Sequence, residues 1–291
     1  MTQRICAAAA LAACMTTPAL AQDWYGAVDV TLDSFEMDDD GEDEGNSMEF
    51  GGHGFAGLTF AEDWYAEGEL SFASVFSIDT PVQRGLRDGE VLSGRVGKTL
   101  GALSLEGILA TMSVVSGNND APGLPEVERT VIAGAGTYRF DENIVGGLLI
   151  GRLEGDEFSD GPSGLDAFDG FNHLAAHVDY RLNDEWSIIG SFAYGTGDMD
   201  FDRDTGSVRH LAVEARYAFS RRPIDAYVGL ADTRFWQQDP DESADNDEAS
   251  RVSLFAGVRW TFGDIRDGRG RARMPLPDYL TWIAVSDGTL E

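Results

Sequence analysis

The chain has 291 residues, 51 acidic and 21 basic side chains, a formal net charge of -30 and 43% hydrophobic residues. That charge repels a phosphate backbone and excludes nucleic acid as a partner, while the apolar content and recurring aromatics exclude a disordered acidic chain. Both cysteines, Cys6 and Cys14, fall within the first 14 residues, so the rest of the chain uses neither disulfides nor thiolate metal ligands.

Residues 1–21 read as a secretory signal segment. Arg4 supplies a basic start, a short apolar run follows, and Pro18 precedes Ala19-Leu20-Ala21, with cleavage expected before Gln22. The run is too short to span a bilayer as a helix. Leu11-Ala12-Ala13-Cys14 offers a second route, with a lipid on Cys14.

From residue 22 onward the hydrophobic period is two, the period of a strand. It predicts twelve strands at 24–34, 50–60, 65–76, 90–100, 103–114, 128–140, 144–154, 172–183, 186–196, 207–219, 223–234 and 250–263. Each is about ten or eleven residues, enough for a tilted strand to cross the apolar layer of a membrane. Short links (Ala61-Glu62-Asp63, the region 99–102, Asp141-Glu142-Asn143, Asn183-Asp184-Glu185, Ser220-Arg221-Arg222) alternate with long ones at 35–49, 77–89, 115–127, 155–171, 197–206 and 235–249. A soluble sandwich has no reason for such regularity, whereas a membrane barrel has short turns at one rim and long loops at the other.

The two faces differ. Leu211, Val213, Ala215, Tyr217 and Phe219 share one phase of the tenth strand, and His210, Glu214 and Arg216 share the other. The greasy phase is expected to face lipid and the ionisable phase an enclosed polar axis. By that rule the lumen is lined by Asp29, Asp33, His53, Glu67 and Glu69 on the first three strands, and by Arg95, Glu106, Arg139 and Arg152 on the next four. His173, His177, Asp179 and Arg181 follow, then His210, Glu214, Arg216, Arg251 and Arg259. Aromatics gather at strand ends near the short turns: Trp24, Tyr25, Phe60, Trp64, Tyr65, Tyr138, Phe140, Tyr180, Trp186, Tyr217, Phe219, Trp260 and Phe262. These rings suit an interfacial girdle.

The hairpins Tyr138-Arg139-Phe140-Asp141-Glu142-Asn143 and Tyr180-Arg181-Leu182-Asn183-Asp184-Glu185-Trp186 are near copies, and Phe60-Ala61-Glu62-Asp63-Trp64 is a looser one. Over residues 22–263 the chain resembles the porin-like outer-membrane β-barrel proteins of Gram-negative bacteria. The resemblance implies an all-β, antiparallel, up-and-down transmembrane barrel in the outer membrane, with periplasmic turns and extracellular loops. Outer-membrane lipids and lipopolysaccharide would surround it. Val258, Trp260 and Phe262 resemble the terminal-strand signal read by the outer-membrane assembly machinery. Family members usually end at that aromatic, but this chain runs on. Residues 264–291 are expected to be a periplasmic extension, flexible in its Gly/Arg part. The stretch 279–285 could dock at the barrel mouth, on a periplasmic partner, or inside the lumen.

Two functions remain open. Cross-linked charges would close the lumen and leave a structural or surface-interaction barrel; separate acidic and basic walls would pass small polar solutes. The charge-rich polar phase favours a small-solute channel, with acidic loops favouring cations at its mouth. No cofactor is expected. His173 and His177 lie about 13 Å apart along one strand, too far for one metal ion. Asp38, Asp40, Glu42 and Glu44 are at most a weak, hydrated calcium or magnesium loop. No nucleophile–base spacing marks an enzyme, and the histidines point away from the lipid side that a barrel lipase would need.

Overall fold

The computed structural model describes residues 23–39, 42–60, 63–77, 86–116, 126–155, 168–199, 205–238, 248–263 and 273–282. The expected signal segment, Cys14 included, and much of the expected long loops from residue 77 onward lie outside the described residues.

Twelve strands run in chain order: β1 Asp23–Asp39, β2 Glu42–Phe60, β3 Trp64–Ser77, β4 Leu86–Leu100, β5 Leu103–Ser116 and β6 Glu126–Arg139. They continue as β7 Ile144–Gly155, β8 Phe168–Arg181, β9 Trp186–Met199, β10 Thr205–Ala218, β11 Ile224–Gln238 and β12 Glu248–Gly263. Each pairs antiparallel with its sequence neighbours, and β1 pairs with β12 from Tyr25↔Gly263 to Asp39↔Ala249, which closes the barrel. Closure satisfies backbone groups that an open sheet edge would leave bare in lipid.

Several strands extend past their expected ends on the long-loop side. The clearest case is 35–49, expected as a loop. There β1 continues to Asp39 and β2 begins at Glu42, so the acidic run is mostly a strand pair. A run of like charges reads as loop when only hydropathy is counted, yet ladder hydrogen bonds do not require apolar side chains.

Two of the short turns are built by an acidic or amide side chain. Asp141 Oδ1 accepts from the backbone N–H of Asn143 at 2.7 Å and of Ile144 at 2.9 Å. Asn183 Oδ1 accepts likewise from Glu185 and Trp186, both at 2.9 Å. Such side chains copy a backbone turn. Asp141→Ala or Asn183→Ala should each lower stability by about 1 kcal/mol, read as a reduced unfolding midpoint in urea with the barrel in lipid vesicles.

The greasy phase faces outward. Ile150 is 69% exposed while the next residue inward, Leu149, is fully buried. Leu211, Val213, Val252, Leu254 and Val258 are also exposed. Near the short turns Trp64, Tyr138, Phe140, Tyr180, Trp186, Phe219, Trp260 and Phe262 form the exposed girdle. Tyr25 and Tyr65, expected in that girdle, are instead buried on the inner face. Each lies over a glycine directly across the ladder, Tyr25 over Gly57 and Tyr65 over Gly97. A Cβ on Gly97 would come within 2.4 Å of the Tyr65 ring, so only glycine leaves room there.

Candidate functional site

The interior has two unlike walls. The polar wall lies on β1–β5 and β10–β12. His53 bridges Asp29, at 2.9 Å from Nδ1, and Glu69, at 2.6 Å from Nε2. Arg95 reaches Glu69 and Glu106, both at 2.9 Å. Arg259 lies 3.2 Å from Asp29, and Arg216 lies 2.6 Å from Glu214. Nearer the long-loop rim Arg251, 1% exposed, holds Asp33 at 2.7 Å and Glu49 at 3.2 Å. Hydroxyls complete the network: Tyr25 donates to Glu67 at 2.7 Å, Ser93 to Glu69 at 3.0 Å and Tyr65 to Glu106 at 3.1 Å. Asp179, Arg139 and Arg181 sit half-buried near the short-turn rim.

The other wall is apolar. Val91, Ile108, Ala110, Met112, Val131, Ala133, Leu149, Leu153, Phe171 and Ala175 form one buried cluster on the inner faces of β4–β8. A uniformly polar interior was expected, and this wall departs from it. Along residues 131–136 of β6 and 144–151 of β7 both phases are apolar or glycine, so no contrast between faces marks which side is lumen. That is also why Arg152 was misplaced. It shares the outward phase with Leu148 and Ile150, is exposed, and pairs with Glu154 at 2.8 Å. It lies near the long-loop end of β7, where an outward charge reaches water or headgroups.

Residues 273–282 lie between these walls. They differ from the expected extension outside the barrel and realise the lumen alternative; residues 264–272 and 283–291 lie outside the described residues. Arg273 reaches Glu67 at 2.8 Å and Glu69 at 2.6 Å, with its guanidinium 4.1 Å from the centroid of the Phe55 ring. Arg95 donates to the Met274 carbonyl. Met274 Sδ is 2.9 Å from His177 Nδ1. Tyr279 Oη and His173 Nε2 share a hydrogen bond at 2.8 Å. Trp282 meets Phe171 edge-on at 5.4 Å, and Leu280 packs on Gly89. Glu67 is the fourth residue of β3 and Phe171 lies ten residues from the short-turn end of β8, so the segment climbs from the short-turn side toward the long loops.

Its sequence suits the place. Pro275 and Pro277 carry no N–H, which removes two donors that a dehydrated interior would strand. Asp278 caps the single helical turn that follows: its Oδ1 accepts from Thr281 N at 3.1 Å and its Oδ2 from Thr281 Oγ1 at 2.7 Å. Burial pushes the Tyr279 phenol well above its ordinary range, so it stays protonated.

The four histidines do not converge. His53 belongs to the polar network, His173 and His177 to the docked segment, and His210 bonds Thr233 at 2.8 Å. Among the described residues no three His, Cys, Asp or Glu side chains are grouped to hold a metal ion. Asp38 is exposed near the end of β1, Glu42 and Glu44 fall on β2, and Asp40 lies outside the described residues.

No protein-family model matches the chain, and no curated protein matches it in sequence. Solved structures do. An outer membrane channel from Pseudomonas putida superposes with a TM-score of 0.53 at 11% identity, covering 84% of this chain and 96% of that one. The fold is that of a porin-like outer-membrane β-barrel. The NanC porin (TM-score 0.46, 10% identity, 79% of this chain and 100% of that one) and the KdgM porin (TM-score 0.45, 11% identity, 80% and 99%) also match.

Sequence reasoning missed several members of this porin-like barrel's polar network. Tyr25, Tyr65, Phe55 and Ser93 all lie in the ionisable phase, but the two tyrosines were assigned to the girdle, and Phe55 and Ser93 carry no charge to mark them. The available signal was phase: Tyr65 alternates with Trp64 and shares its parity with Glu67 and Glu69.

Proposed function

We propose that the protein is a passive channel for small polar solutes, with a preference for cations, held shut in this conformation by residues 273–282. The observation that carries the reading is the carboxylate-rich wall inside a closed barrel, where Asp29 on β1, Glu67 and Glu69 on β3 and Glu106 on β5 face one axis. Fixed carboxylates in a pore raise the local concentration of cations. At the long-loop end the outward pairs Arg152–Glu154, Arg209–Asp232 and Arg234–Glu248 present guanidinium groups at the level of lipopolysaccharide phosphates.

Planar-bilayer recording tests the reading. The Arg273→Glu variant places a carboxylate against Glu67 and Glu69 and should release the segment. It should conduct, with a reversal potential in a potassium chloride gradient displaced toward the potassium equilibrium value. A displacement toward chloride would remove the cation preference. The filling of the lumen by Met274, Tyr279, Leu280 and Trp282 favours a second reading, a permanently occluded structural barrel. Absence of any conductance in Arg273→Glu would select it.

A further inference from the structure

The polar wall holds a guanidinium that barrel closure does not require. All twelve strands are paired, β1 to β12 included, before residue 264. Arg273 arrives from beyond β12, sits over the Phe55 ring at 4.1 Å from its centroid, and meets Glu67 and Glu69 at 2.8 and 2.6 Å. Two carboxylates and an aromatic face at this spacing suit a planar delocalised cation far better than a compact ammonium.

The receptor is built without its occupant. Glu67 is held by Tyr25 at 2.7 Å, and Glu69 by Ser93 at 3.0 Å, His53 at 2.6 Å and Arg95 at 2.9 Å. Both glutamates are buried, at 6% and 4% exposure, on one strand. Removing Arg273 therefore leaves the carboxylates in position and the cage one positive charge poorer. The occupant's own tether is partly unsatisfied: Trp282 Nε1 is buried without a hydrogen-bond partner among the described residues. Residues 273–282 add no strand to the wall; their regular structure is one helical turn.

We propose that the Phe55–Glu67–Glu69 cage is a binding site for guanidinium-bearing solutes, and that Arg273 is its built-in occupant, displaced when such a solute arrives. The proposal names the solute class and the opening signal of the channel proposed above, and rests on that reading for its transport meaning.

The test uses the full chain with Leu280→Cys, whose side chain is buried against Gly89. The only native cysteines, Cys6 and Cys14, lie in the expected signal segment. The variant's labelling by a bulky maleimide is timed in detergent, with heat-modifiable electrophoretic mobility reporting the folded barrel. If Leu280→Cys fails that check, Thr281→Cys serves. Low-millimolar arginine amide should speed labelling at least tenfold, tetramethylammonium at equal concentration should not, and Glu67→Gln should abolish the difference. Equal rates with both cations would overturn the proposal. Bilayer recording of the unmodified protein separates the two readings. Conductance with arginine-insensitive labelling sinks the site and leaves the channel. Arginine-sensitive labelling without conductance, in this protein or in Arg273→Glu, keeps the site and sinks the channel.

Discussion

Arg251→Leu is expected to destabilise the barrel by about 3–5 kcal/mol, the usual cost of stripping one partner from a buried ion pair. Arg251 is fully enclosed and stands on β12, while its carboxylates Asp33 and Glu49 stand on β1 and β2. It therefore ties the last strand to the first two, across the seam where the sheet closes on itself. Its guanidinium also lies 3.7 Å from the centroid of the Phe35 ring, so leucine removes a stacking contact as well as a charge. The loss leaves two carboxylates facing each other in a water-poor interior. Adding Asp33→Asn and Glu49→Gln should recover much of the lost stability, because the cost lies in the unpaired charges rather than in the missing bridge. Urea unfolding of the single and triple variants in phospholipid vesicles measures both. Equal midpoints for Arg251→Leu and the unmodified protein would show that water reaches this cluster and screens it.

Leu254→Arg should cost about 2–4 kcal/mol, the penalty for a cation near the midplane of a membrane barrel's outer face. Leu254 is 54% exposed, lies six residues from the girdle residue Trp260 on the same phase, and shares that phase with exposed Val252 and Val258. The control is the same substitution nearer the long-loop end, Ser250→Arg, in the same outward phase, where the cost should fall to about 0–1 kcal/mol. The difference between the two, measured by the same unfolding assay, reports depth in the bilayer. Similar costs at both positions would place the apolar belt elsewhere on the cylinder.

Strand number, pairing order, the tight turns and the lipid-facing phase were legible because each follows from a local rule. A two-residue period needs only neighbouring residues, and Asp141 or Asn183 builds its turn from backbone groups two and three residues away. The interior was less legible, because a lumen is assembled from residues far apart in the chain. Leu149 and Ile150 are both apolar, and only the register with Ala135 and Ala175 tells which one is inside. Arg152 was given to the lumen by its charge, although its parity with Ile150 assigns it outward. The docked segment was the least legible. Met274, Tyr279 and Trp282 follow no strand or helix period, and their partners His177, His173 and Phe171 lie about a hundred residues earlier.

The berth of residues 273–282 is contributed by β2, β3, β4, β7 and β8, on both sides of the cylinder. No single hairpin offers it, so it comes into being only once those staves stand together. Residues 273–282 must then be the last to settle, after β12 has found β1. Resistance of that stretch to protease would mark finished molecules apart from half-inserted ones, a maturation stamp that each copy carries in its own backbone.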